Sequence, residues 1–226
     1  MPEQSAIHEL RERRRAERVL EVVRPDTRTT ILNATESILA DTPLQDVSVQ
    51  RIMEAAQVSR GTFYSYFASK FEIVAALLEQ VMEEMFDLLQ PFVVPETGRS
   101  REEAIRAVLV RSISLWRRHR VVFGAVHEHW HAVPQLRDQW LRFVELFTDA
   151  MAIELEREIE AGTAPAGIDT RQRAACVLWA TEHLLYIAST DADADLPDED
   201  AILETLMAMW IGTLYGPVNG GSPPDA

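Results

Sequence analysis

The sequence predicts an all-α protein of about nine helices, arranged as a small N-terminal three-helix domain and a larger helical domain behind it. Three observations carry this expectation. Apolar residues recur at three- and four-residue steps along most of the chain, no strand-like alternation lasts more than a few residues, and the 9 Gly and 11 Pro of the 226 residues fall mainly in short clusters.

The elements follow in order. Asp26 or Thr27 caps a first helix to about Asp41, with Ile31, Leu32, Ala34, Ile38 and Leu39 on its apolar face; Asp41-Thr42-Pro43 stops it. Ser48 caps a short helix from Val49 to about Ala56, with Ile52, Met53 and Ala56 inward. Gln57-Val58 forms a tight turn, and Ser59 caps a third short helix, Arg60 to about Phe67. Val58 and Phe63 have the spacing of a hydrophobic staple around that cap. Ser69 and Glu72 suit a capping box at the head of a long helix, along which Val74, Leu77, Leu78, Val81, Met82, Met85 and Leu89 recur. Pro91 to Pro95 interrupts the chain, and Ser100 with Glu103 forms a second capping box. Helices are expected at about 101–118, 120–131, 135–161, 170–190 and 198–215. The domains expected are an Arg-rich extension 1–25, a helix-turn-helix domain 26–72, a helical body 73–216 and a Gly/Pro-rich flexible tail 217–226.

Composition narrows the function. Apolar residues make 47% and charged residues 26% of the chain, an ordinary globular balance. A single cysteine, Cys176, rules out an intramolecular disulfide and a Cys-based zinc site; its expected role is that of a buried apolar residue. No uncharged apolar run is long enough for a membrane span, and the N-terminus lacks the apolar segment of a secretory signal, so a cytoplasmic protein with no membrane partner is expected. The net charge of −14 is unevenly spread. Residues 1–72 hold ten Lys+Arg and eleven Asp+Glu, while residues 11–28 carry seven Arg against four acids. An N-terminal segment that touches a polyanion, joined to an acidic body that does not, fits this division. The Arg-rich extension reads equally well as an arm for phosphates or the minor groove and as a solvated helix with ion pairs.

Residues 48–67 have the layout of a helix-turn-helix, whose second helix enters the major groove. Phe63 and Phe67 share one face and should pack on Ile38, Ile52 and Met53. The other face shows Arg60, Thr62, Tyr64 and Ser65, with Gly61 in the first turn and Tyr66 and Lys70 at the end. Hydroxyls, an ammonium and a helix N-terminus are groups that hold phosphates, and a missing side chain lets backbone approach closely. The run Ala56-Gln-Val-Ser-Arg-Gly-Thr-Phe-Tyr-Ser-Tyr-Phe-Ala-Ser-Lys70 resembles the signature of TetR-family transcriptional regulators. Within that family the chain is most similar to the ethionamide-resistance repressor type, through Leu44-x-x-Val47-Ser48-Val49, the Trp140 helix ending in Ala161-Gly-Thr-Ala-Pro165, and Trp210-Ile-Gly-Thr-Leu-Tyr-Gly216. One departure is Gln57, where the family usually has Gly; a left-handed residue there costs on the order of 1 kcal/mol. The resemblance implies phosphate contacts from Thr62, Tyr64, Tyr66 and Lys70, base-edge contacts from the face of Arg60, Gly61 and Ser65, and the cap residues Ser48 and Ser59 beside them.

The body holds all five Trp, and Trp140, Phe143, Val144, Phe147 and Met151 form one stripe. Such a stripe is ordinary core, and pocket walls are also aromatic, so the residues alone leave both readings open. The resemblance implies a tunnel for a small apolar effector lined by Trp116, Phe123, Trp140, Val144, Phe147, Met151, Thr181, Tyr186 and Trp210. An amide pair of the related tunnel is represented only in part, by Thr181 with Leu178, so a different ligand is implied. Glu182 and His183 could add polarity. Leu178, Leu185, Ile202, Leu206, Met209 and Leu214 exceed one core stripe, and the family forms a homodimer through its last two helices, matching a palindromic operator. His127 and His131 stand at i, i+4, and Asp191 to Asp195 imitates a calcium loop without its Gly and Glu; no metal and no cofactor is expected. No G-x-S-x-G, Gly-rich phosphate loop or Cys–His pair points to catalysis. The expected function is therefore a ligand-responsive transcriptional repressor; an activator, or a regulator controlled by a partner protein, is the alternative.

Overall fold

A computed structural model describes residues 26–93, 98, 100–190 and 199–216. The described residues form nine α-helices, one short 3-10 turn and no strand. The helices are α1 (Thr27–Leu39), α2 (Val49–Ala56), α3 (Arg60–Tyr66), α4 (Lys70–Val93), α5 (Arg101–Arg118), α6 (Arg120–His129), α7 (Pro134–Glu160), α8 (Thr170–Ser189) and α9 (Glu199–Leu214), with the 3-10 turn at Leu44–Asp46. The all-α expectation is met, and element ends agree within a few residues. One difference is α4, which continues through Pro91 to Val93 instead of stopping before it. The chain divides into two compact units, separating between Ile73 and Val74. The Arg-rich extension 1–25, the acidic loop 191–195 and the tail 217–226 lie outside the described residues.

In the first unit, α1, α2 and α3 close around Ile31, Leu32, Leu44, Ile52 and Phe63, each at most 1% exposed. Burying Phe63 and Ile52 stabilises the unit by about 1.5–3 kcal/mol per side chain. Thr35 is buried among them and satisfies its hydroxyl by donating to the Ile31 carbonyl at 2.8 Å. Ser48 Oγ accepts from the Arg51 N–H at 3.1 Å, the expected cap. At the other end of α2, Gln57 adopts φ 54°, ψ 39°, so the left-handed conformation is present without glycine. The Val58 N–H donates to the Met53 carbonyl at 3.0 Å and the Gln57 N–H to the Glu54 carbonyl at 3.2 Å, which closes the helix in spite of that cost.

In the second unit, α7 packs along α8, and α9 lies against both α5 and α8. Ser100 and Glu103 make the expected capping box, with 2.8 Å and 3.2 Å bonds in the two directions. Two buried arginine networks tie the unit together. Arg101 bridges Glu154 at 3.1 Å and also Glu158, which accepts the Tyr215 hydroxyl proton at 2.8 Å. Arg173, 2% exposed, donates to the carbonyls of Thr213, Pro165 and Leu214, clamping the end of α9 to the loop after α7.

Two sequence expectations need correction. Cys176 is exposed, because the inward positions of α8 are Arg173, Ala174, Val177, Thr181 and Leu185, and Cys176 points between them to the other side. Leu185, Ile202, Leu206 and Leu214 are core of the single chain, at most 5% exposed, so they are not surplus apolar surface. The exposed positions of α8 and α9 include the short side chains of Cys176 and Ala180 on α8 and Thr205, Ala208 and Gly212 on α9, beside the longer Arg171, Gln172, His183 and Glu204.

Candidate functional site

The reading helix α3 starts at Ser59, whose Oγ accepts the Thr62 N–H at 3.1 Å and lies 2.9 Å from the Thr62 hydroxyl. Phe63 and Phe67 turn inward, 6.5 Å apart between ring centres, which leaves the rest of the helix to face out. Tyr64 and Tyr66 are 48% and 43% exposed, so neither is a packing residue. The Arg60 guanidinium sits 5.6 Å over the Tyr64 ring, which holds the cation at the start of the helix. The Ser65 hydroxyl donates to the Thr62 carbonyl at 2.7 Å. Gly61 is exposed, and a Cβ there would meet nothing nearer than the Ser59 Oγ at 3.9 Å. The fold itself therefore does not require glycine at this position.

The nine sequence-predicted residues separate at this point. Arg60, Gly61, Tyr64, Ser65 and Tyr66 share the open face with half-buried Thr62, and Ser48 and Ser59 are committed as caps. Lys70, for which the resemblance implies a phosphate contact, is engaged within the chain. Its Nζ donates to the carbonyls of Leu44 at 2.6 Å, Val47 at 2.9 Å and Gln45 at 3.1 Å. An ammonium has three protons, and all three are used. Partial burial pushes its pKa down, against the pull of Asp46. Lys70 thus ties the 3-10 turn to the head of α4.

The second unit holds an apolar cavity of about 80 Å³ that is partly open to the surface. Seven of the nine expected residues line it: Trp116, Phe123, Trp140, Val144, Phe147, Thr181 and Trp210. Trp116 and Phe123 stack at 3.8 Å with their planes 7° apart, forming one slab of wall. The Trp210 Nε1–H donates to Thr181 Oγ1 at 2.8 Å. Met151 is core at 1% exposed but lies outside the lining, one turn past Phe147. Tyr186 is also outside: it stacks on His127 at 3.9 Å, and burial, with the charges of Glu128 and Glu182, pushes its pKa up. Sequence reasoning missed Met82 and Met85 of α4, Val108 and Ser112 of α5, and Phe143 and Leu185. Phe143 stood in the same stripe as Trp140 and was legible; a serine at position 112 within an apolar helix face was a further signal. The cavity is too small for a drug-sized molecule with its walls as they stand, since an empty site of about 150 Å³ is what accommodates benzene.

His127 is paired with Glu182, and His131 is exposed beside Trp130, so the two histidines do not converge. Among the described residues no cluster of three or more His, Cys, Asp or Glu could hold a metal, and no helix is long and apolar enough to cross a membrane.

Comparison with known proteins agrees with both halves. Residues 31–77 match the model of bacterial regulatory proteins of the tetR family, and residues 102–216 match the C-terminal domain of the transcriptional regulator EthR. The HTH-type transcriptional regulator EthR of Mycobacterium tuberculosis is 26% identical over 191 residues, 84% of this chain and 88% of that protein. EthR of Mycolicibacterium smegmatis is 23% identical over 197 residues, 87% of this chain and 90% of that protein. Among solved structures, a TetR-family regulator of Syntrophomonas wolfei superposes with a TM-score of 0.70 at 15% identity, covering 86% of this chain and 98% of its own. FadR of Thermus thermophilus, a TetR-family repressor solved with lauroyl-CoA, gives 0.58 at 20% identity over 88% of this chain and 100% of its own. With a helix-turn-helix that exposes its reading face, and an EthR-type helical domain matching half of its length, the chain belongs to the TetR family of transcriptional regulators.

Proposed function

We propose that the chain is a cytoplasmic transcriptional repressor that leaves a palindromic operator when a small apolar molecule occupies the cavity of the second unit. One observation carries this reading. The cavity wall includes Met82 and Met85 of α4, the helix that begins at Lys70, where the ammonium grips the helix-turn-helix unit. A ligand larger than about 80 Å³ presses on this wall. Methionine yields readily, and a displaced α4 alters the placement of α3. The effector then works by population shift, favouring a spacing of two reading heads that misfits the operator.

On the DNA side, Thr62, Tyr64 and Tyr66 hold phosphates, while Arg60, Gly61 and Ser65 face base edges. A homodimer through α8 and α9 supplies the second head. The short residues on the outward face of these helices, Ala180, Ala208 and Gly212 among them, let a second copy approach closely. The acyl ligand of Thermus FadR is far larger than this cavity, so a smaller effector is favoured here.

The test is a titration of operator binding with any compound that raises the melting temperature. Release should appear as a roughly 5- to 150-fold loss of affinity, the usual range of allosteric coupling. Val108→Phe puts a ring into the cavity from a position 1% exposed and should abolish the ligand's thermal shift while operator affinity stays within about twofold. A ligand that binds the cavity and leaves operator affinity unmoved refutes the regulatory link.

A further inference from the structure

We infer that the effector is recognised through a hydrogen-bond acceptor, a neutral carbonyl or ether oxygen, that takes the indole proton of Trp140. This rests on the reading of the cavity as the effector site and states what chemistry that site selects. Trp140 is 3% exposed and lines the cavity. Its Nε1 is buried and has no hydrogen-bond partner among the described residues. An indole nitrogen only donates, so nothing but an acceptor can satisfy it. A buried donor left unmade is costly, and folded proteins leave few of them.

The neighbouring polar groups of the wall cannot supply that acceptor. Phe123 and His127 meet the Trp140 ring at interplanar angles of 77° and 66°, with centres 6.4 Å and 5.9 Å away. Glu182 is engaged by His127. Thr181 Oγ1 already accepts from Trp210 and still has its own proton to give. The Ser112 hydroxyl is turned to the Met85 sulfur at 3.8 Å. The Trp140 indole N–H and the Thr181 hydroxyl proton are the donors this wall holds out, which selects a ligand that carries an acceptor. An anionic ligand is disfavoured because the Glu182 carboxylate shares the wall. A neutral ketone, ester or ether on a compact apolar body meets every condition.

The experiment uses cyclopentanone and methylenecyclopentane, two compact probes of nearly the same shape that differ in C=O against C=CH₂ and enter as the Met82 and Met85 side chains give way. The full chain is labelled with ¹⁵N at the Trp indoles, giving five reporters. Cyclopentanone should shift the Trp140 indole proton downfield and bind roughly 3- to 10-fold more tightly than the alkene, the return expected of one neutral hydrogen bond. Trp140→Phe should level the two affinities; if that variant fails to fold, the wild-type spectra decide alone. Equal binding of both probes with no downfield shift overturns the acceptor inference and leaves an unselective apolar effector site. Failure of both probes to perturb any cavity tryptophan overturns the effector-site reading, and this inference with it.

Discussion

Lys70→Met separates a structural lysine from a phosphate-binding one. Methionine keeps an unbranched apolar stem and removes the three N–H donors. In the folded chain those donors reach Leu44, Val47 and Gln45 carbonyls at 2.6, 2.9 and 3.1 Å. The loss is not uniform over the three. Leu44 keeps the Val47 N–H as a second partner at 3.2 Å, and the exposed Gln45 is open to water. The Val47 carbonyl, on a residue 2% exposed, is left with the full cost. One orphaned carbonyl plus two weakened bonds costs about 1–3 kcal/mol in this partly buried site. At about 2–4 °C per kcal/mol for a chain of this size, the melting temperature should fall by roughly 2–12 °C. The assay pairs a thermal melt with fluorescence-anisotropy titrations of operator DNA over a range of salt. The slope of log affinity on log salt should stay within error of wild type, because no phosphate contact has been removed. An unchanged melting temperature with a slope smaller by about 0.9 would refute the structural assignment and return Lys70 to the phosphates.

Three further outcomes are expected. Gly61→Ala should leave stability unchanged or raise it by up to about 1 kcal/mol, since a Cβ there meets nothing closer than 3.9 Å, while operator affinity drops; equal affinity by gel shift places Gly61 away from DNA. Ala208→Arg should give folded monomers by light scattering, whereas Leu206→Asp, at a position 0% exposed within one chain, should unfold the protein; a dimeric Ala208→Arg removes the α8–α9 interface from consideration. Burial, the Glu158 hydrogen bond and nearby carboxylates push the Tyr215 pKa far up, so the unfolded chain sheds this proton at lower pH than the folded one. Stability should fall above about pH 10 by roughly 1.4 kcal/mol per pH unit, and Tyr215→Phe should flatten that decline in alkaline denaturant titrations.

The sequence was most readable where a single local rule decided the outcome. The caps Ser48, Ser59 and Ser100 announced helix starts because a hydroxyl before an apolar-periodic run has a specific N–H to accept. The resemblance marked Gln57 as standing where the family usually has Gly, and its φ of 54° shows the left-handed backbone that a glycine would favour. The intramolecular partners of Lys70 were not legible because they lie about 25 residues away: no local pattern tells whether an ammonium meets phosphates or the carbonyls of its own chain. Cys176, Leu206 and Leu214 were misassigned for a related reason. On α8 and α9, apolar residues point several ways, and periodicity does not say which face meets the same chain. The stripe on α7 contains Trp140 and Phe147, which line the cavity, and runs on to Met151, which does not, since a sequence does not show where an internal space ends.

Because Cys176 is the sole cysteine and stands exposed on α8, the chain carries one chemically defined thiol on the face proposed to meet a second copy. In a two-fold assembly through α8 and α9 the two thiols sit across the symmetry axis. Under mild oxidant a covalently linked pair then reports that two copies of α8 come within thiol reach. A maleimide reagent gives the complementary readout: assembly shields the thiol, so the alkylation rate falls as protein concentration rises.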